Sequence, residues 1–118
     1  MKYGIVGSRN YPALVLVWKW IEKNCKNTDT IVTGGAAGVD TIAETSAKTI
    51  DSHLTIYEAD WSIGKHAGLE RNTLIAEASD IIICFWDGES RGCIDTVKKA
   101  KKLGKPYIIF GPRGEKLR

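Results

Sequence analysis

Five short apolar runs punctuate this chain: Tyr3–Val6 (YGIV), Thr30–Thr33 (TIVT), Leu54–Tyr57 (LTIY), Ile81–Trp86 (IIICFW) and Tyr107–Phe110 (YIIF). None of them alternates cleanly between apolar and polar residues. A strand with one wet face has to alternate, so these runs describe strands covered on both faces, as in a parallel sheet. Between them lie helix-length segments, roughly residues 12–25, 39–50, 67–78 and 92–103. The last of these ends on Gly104, Lys105 and Pro106, a strong helix stop. Parallel neighbours need crossover connections, and those are right-handed. The pattern therefore predicts an α/β protein, a Rossmann-like three-layer sandwich around a five-stranded parallel sheet.

A chain of 118 residues without linker, repeat or low-complexity stretch reads as one domain, residues 1–118. Hydrophobic residues at 43% and charged residues at 26% suit an ordinary globular core. The net charge is only +3, and the lysines gather late, in KKAKKLGK and GPRGEKLR, without interleaved aromatics. On that ground nucleic acid is disfavoured as a partner. The cysteines Cys25, Cys84 and Cys93 have no CxxC spacing, which points away from a metal site and from a disulfide framework. Reduced thiols, an opening MKYGIVGSRN unlike a signal peptide and no apolar run near the ~20 residues of a membrane span together lead us to expect a cytoplasmic protein without a membrane partner.

In open α/β sheets ligands sit beyond the carboxyl ends of the strands, so the segments directly after each strand carry the functional argument. After the first comes GSRN: Gly7 permits a tight turn, Ser8 offers a hydroxyl, and Arg9 can fork onto a carboxylate or phosphate. After the second comes GGAAGVD. Gly34, Gly35 and Gly38 would let an anion approach backbone N–H groups where a helix begins, and Asp40 is placed to cap that helix or accept from a ribose hydroxyl. After the third, a long loop runs into a helix carrying Arg71 and Asn72. After the fourth, Asp87 opens DGESRGCID, with Ser90 the expected N-cap and Gly92 and Cys93 in the first helical turn. Three such loops at one sheet edge fit a phosphate-bearing ligand. Neither G-x-G-x-x-G nor G-x-x-x-x-G-K-[ST] occurs, which excludes the common dinucleotide and P-loop fingerprints.

The series GSR, TGGAAGVD, ADWSIGKHAGLERN and DGESRGCIDT, in that order, resembles the SLOG superfamily of Rossmann-like proteins, and within it the YspA-like, cpYpsA-related branch. The resemblance covers almost the whole chain. It implies a single nucleotide-binding domain that holds a nucleotide-derived small molecule, as a sensor or signalling module, with no cofactor. The ligand set it suggests is Gly7, Ser8, Arg9, Gly34, Gly35, Gly38, Asp40, Arg71, Asn72, Asp87, Ser90, Gly92 and Cys93. Two relatives define alternatives. Lonely Guy phosphoribohydrolases imply N-glycosidase action on a nucleoside monophosphate, with Arg71, Asp60 and Asp87 as catalytic candidates; however, Thr96 occupies the position of that family's catalytic glutamate. DprA implies an accessory role in binding or processing single-stranded DNA.

Other residues have plainer readings beside the functional ones. Asp60 and Trp61 can form a structural corner, or Trp61 can stack on a base. Lys65 and His66 read as solvated loop residues, with Lys65 available to a phosphate. Cys93 reads first as a small residue replacing threonine, and second as an activated thiol at a helix N-terminus. The first helix has a core face in Leu14, Val17, Trp18, Ile21 and Cys25, and this leaves Val15, Leu16 and Trp20 over. Leu16 and Trp20 then suggest a homodimer patch, unless the carboxyl-terminal tail covers them.

Overall fold

A computed structural model describes residues 1–118. The chain runs β1 (Lys2–Gly7), α1 (Leu14–Asn24), β2 (Thr30–Thr33), α2 (Val39–Thr49), β3 (His53–Ile56), a 3-10 turn (Trp61–Ile63), α3 (Ala67–Ala78), β4 (Ile81–Phe85), α4 (Gly92–Lys102) and β5 (Tyr107–Phe110). All five strands are parallel, in the order β3-β2-β1-β4-β5. The order reverses between β1 and β4, which leaves a crevice beyond their carboxyl ends.

The nearly unbroken apolar runs are explained by the two core clusters. Ile5, Ile83 and Phe85 face α1 and α2, packing with Val17, Ile21, Val39 and Ala43. Their neighbours Val6, Ile82 and Cys84 face α3 and α4, packing with Ile75, Ala76, Val97 and Ala100. Successive residues of one strand thus feed opposite layers, and a polar side chain on either face would lose its water. Each fully buried Ile or Phe contributes about 1.5–3 kcal/mol.

Local signals set the element ends. Gly104 takes φ 73° after α4, and Lys105 turns back so that its Nζ donates to the carbonyls of Ala76 and Glu77 at the end of α3. The third strand lies one residue earlier than the apolar run suggests, at His53–Ile56. This is an edge strand, held on one side only by β2, so hydropathy alone marks its limits poorly. No helix is long and apolar enough to cross a membrane.

The carboxyl-terminal tail reaches the first helix. After β5 the chain turns at Gly111–Gly114 and folds back along the edge of β5, where Leu117 N–H donates to the Ile109 carbonyl (2.7 Å) and Phe110 bridges Lys116. Gly114 thereby lies against Leu16. Trp20 packs edge-on against Tyr3, with ring centroids 5.8 Å apart. The two residues offered as a homodimer patch are half-buried, each occupied within the chain itself.

Candidate functional site

A cleft of about 390 Å³ opens at the crevice between β1 and β4. It brings together Gly7, Ser8 and Arg9 from the first loop, Asp40 from α2, Arg71 and Asn72 from α3, and Asp87, Ser90, Gly92 and Cys93 from the fourth loop and α4. Lys65 and Trp61 line it as well. Gly34 and Gly35 do not. They line an adjoining cavity of about 260 Å³ that shares Arg9, Ala36, Trp61 and Arg71 with the cleft.

Gly38 lies in neither space. It has φ 75°, and a Cβ there would run into the carbonyl oxygen and backbone of Arg9. Its role is to let two loops touch backbone to backbone. Gly35 likewise has φ 71°. Close backbone packing thus accounts for Gly38 and backbone conformation for Gly35, while Gly34 offers its carbonyl to Arg71: Nη1 donates to it at 2.7 Å, and Nε donates to Asn72 Oδ1 at 3.1 Å. The second terminal nitrogen of Arg71 makes no bond within the chain.

Asp40 stands in the first turn of α2 but does not cap it in the usual direction. Its Oδ2 accepts from Ala36 N–H, four residues earlier, at 3.2 Å, closing the glycine loop onto the helix. Its Oδ1 has no partner although the residue is only 5% exposed. Burial pushes this carboxyl up from its ordinary value, and the Ala36 N–H and nearby Arg71 offset that only in part. A buried carboxyl perturbed in this way, beside an arginine in a cleft, is a functional-site signature.

Ser8 and Ser90 are wired to the scaffold. Ser8 is buried, accepts Asp87 N–H at 2.9 Å and lies 2.6 Å from Ser90 Oγ. Asp87 Oδ1 accepts the N–H groups of Glu89 and Ser90 (2.9 and 2.8 Å), so the carboxyl sits below its usual range, chiefly through the Ser90 N–H. The Ser90 hydroxyl is turned to Ser8 Oγ and Cys93 Sγ instead, so Ser90 does not cap α4 as expected. The cap position falls on Arg91, which makes no side-chain bond there. Asn72 spends both amide protons on Gly92 O and Asp95 Oδ2 (3.1 Å each), tying α3 to α4.

Cys93 is 7% exposed, with Sγ 3.5 Å from Ser90 Oγ and 3.7 Å from Ser8 Oγ. Its thiol is brought down to about 7, first by the hydrogen bond from Cys84 and then by those from Ser90 and Ser8, against the effect of burial. Cys84, the other member of the pair, moves up.

Among the catalytic candidates, Asp60 lies outside the cleft, where its carboxylate caps the 3-10 turn by accepting Ser62 N–H at 3.2 Å. That turn, which hydropathy did not signal, presents Trp61 57% exposed with its ring edge over Gly68. Thr96 is buried in the cleft wall. Asp95 beside it is engaged by Lys99 at 2.8 Å as well as by Asn72. The position matched to the phosphoribohydrolase glutamate thus holds a buried threonine, and its acidic neighbour is already engaged. His66 lies outside the cleft, 3.7 Å from Glu70. Asn10, Ala36, Leu69 and Ile75 also line the cleft, and nothing in their residue type marked them.

No family model matches the chain, and neither does any curated protein. Among solved structures it is similar to DNA processing protein A from Helicobacter pylori, a structure described for its single-stranded DNA binding mode. The two are 25% identical with a TM-score of 0.66 over 93% of this chain. That neighbour is a SLOG-fold protein. The chain spans only 65% of the neighbour's length.

This likeness overturns the expectation that nucleic acid is disfavoured. That expectation rested on the lack of a basic stripe in the linear sequence. Arg9, Lys65 and Arg71 come from three separate segments, and the fold places all three around one cleft. A charged surface assembled by topology leaves no run to read.

Proposed function

We propose that the chain binds single-stranded DNA, with one nucleotide unit seated in the cleft at the carboxyl edge of the sheet. The observation that carries this reading is a coincidence of place. The chain shares its fold over 93% of its length with a protein described as binding single strands, and a cleft lined by Arg9, Lys65 and Arg71, with Asp40 and Asp87, opens at the switch point of that fold. Arg9, Lys65 and the free nitrogen of Arg71 take the phosphate, together with the N–H groups of Gly92 and Cys93 at the start of α4. The unpartnered Asp40 oxygen accepts from a sugar hydroxyl or a base N–H. Trp61 supplies a stacking face. Within the SLOG fold the motif order still resembles the YspA-like branch, and we read residues 1–118 as one such domain with an accessory role in DNA handling.

One observation favours a second reading, a free nucleotide ligand: the cleft, at about 390 Å³, is of small-ligand size and carries a single buried carboxyl beside an arginine. The N-glycosidase version of it is weakened by Thr96 and by the commitments of Asp60 and Asp87.

Fluorescence anisotropy with a labelled oligothymidylate, its duplex and unlabelled nucleoside monophosphates separates the two. The single-strand reading expects binding about tenfold or more tighter for the single strand than for the duplex, weakening steeply with salt. Saturable binding of a monophosphate, with none of the oligonucleotide at low salt, would replace it by the small-ligand reading.

A further inference from the structure

The cleft does not end at α4. A third cavity, of about 520 Å³, lies beside the first two turns of that helix and shares Leu69, Ser90 and Gly92 with the cleft wall. With the smaller cavity on the other side, three spaces abut in sequence across the sheet edge: about 260, 390 and 520 Å³. Trp61 stands at the first junction, and Trp86 lines the far groove.

The far groove has the chemistry of a polyanion track. Arg91 and Lys98 line it, and the side chain of neither forms an ion pair or hydrogen bond within the chain. The nearest acid on the same helix, Asp95, is already taken by Lys99 and Asn72, which leaves Arg91 and Lys98 facing Glu89 alone. Glu89 is the other acid of the groove and is exposed at its rim. Lys98 lies seven positions after Arg91, the cap of α4, about 10 Å along the helix at 1.5 Å per residue, enough to follow a backbone rather than a single phosphate. Trp86 is held in place, since its Nε1 donates to the Ser90 carbonyl at 2.8 Å, and it keeps part of its ring open to the groove.

The geometry points to a second nucleotide subsite in this groove, so that a strand of about four nucleotides crosses from Trp61, through the central cleft, and out along α4 past Trp86, Arg91 and Lys98. This rests on the single-strand reading above and adds to it a path, a direction and a length requirement. A ligand no larger than one nucleotide would fill the cleft and leave the α4 groove empty.

The test compares thymidylate strands of two and twelve nucleotides on the full chain and on an Arg91→Gln, Lys98→Gln double variant, by anisotropy across a salt series. Both side chains are exposed, so the fold is expected to hold, and a thermal melt checks it. The expected result is about a tenfold loss for the twelve-mer, a salt slope reduced by about 1.4 (two contacts at ~0.7 each for a single strand), and unchanged binding of the dinucleotide. An unchanged twelve-mer overturns the subsite. So does an equal loss at both lengths, because the cations would then act only through the general field. Failure of the unaltered chain to bind either strand is a different outcome: it takes down the single-strand reading, and the subsite with it.

Discussion

Arg71 on α3 reaches across the sheet edge to Gly34 at the end of β2, its Nη1 donating to the glycine carbonyl at 2.7 Å. One side chain therefore fixes a loop and offers the cleft its remaining donor at the same time. Arg71→Ala removes both. It should lower stability by about 2 kcal/mol, because a buried acceptor loses a charged donor, and should weaken strand binding at least tenfold. Chemical denaturation and anisotropy measure the two effects separately. Loss of stability with binding intact would confine Arg71 to scaffolding.

Two glycines at helix starts make opposite predictions. Alanine at Gly38 would combine a φ of 75° with a clash against the Arg9 backbone, neither of which can yield easily. Gly38→Ala should cost about 2 kcal/mol or more. Alanine at Gly92 meets nothing within 4 Å in the first turn of α4, and its effect should stay within about 0.5 kcal/mol. Urea midpoints for the pair give the comparison, and equal midpoints would contradict it.

The Asp40 carboxyl is raised in the folded chain, which fixes the sign of its pH effect. A group with a raised folded-state pKa contributes most below its unfolded value, and that contribution is lost as pH rises through the folded value. Asp40→Asn should therefore be more stable than the parent at pH 7, with the advantage shrinking as pH falls through the raised folded value and gone below the ordinary carboxylate range. Melting curves at several pH values test this. An asparagine variant that is less stable at neutral pH would mean that the nearby Arg71 outweighs burial.

Cys93, at about 7, should be the thiol alkylated first by iodoacetamide, with a rate that rises around neutral pH. Cys25 is pushed up to about 12 by burial and should stay unlabelled. Peptide mass spectrometry reads the order of labelling. A bound strand should slow the reaction at Cys93, since the residue lines the cleft. Labelling of Cys25 ahead of Cys93 would reverse the assignment.

Trp61 is more than half exposed, so Trp61→Ala should leave the melting point nearly unchanged. If the ring stacks on a base, strand affinity falls by about 1–3 kcal/mol. Intrinsic fluorescence on the parent chain gives an independent readout through quenching.

Most of the architecture was legible because burial on two faces leaves its mark in local composition. Ile82 and Ile83 point into different layers, yet both must be apolar, and the run IIICFW records that. The position of the candidate cleft follows from topology, since parallel strands bring every post-strand loop to one edge. What each side chain does there was not legible. Ser8 and Ser90 lie 82 residues apart in the chain, and Arg71 and Gly34 lie 37 apart. No local pattern says which hydroxyl is already engaged or which arginine nitrogen is free. The same limit hid the charge of the cleft, and it hid the tail turning back over β5.

That tail has a consequence for how the sheet meets other chains. A parallel sheet has two raw edges, and a protein can stack without limit only if both stay open. Here the β5 side is closed by the residues around Ile109 and Leu117. β3 is left as the single unsheathed margin. Two copies could meet there once, margin to margin, and the growth would stop; an endless ribbon has nowhere to add its third member. Loosening the last four residues should therefore show up first in a crowded solution, as fibrous material, before it shows in the melting temperature.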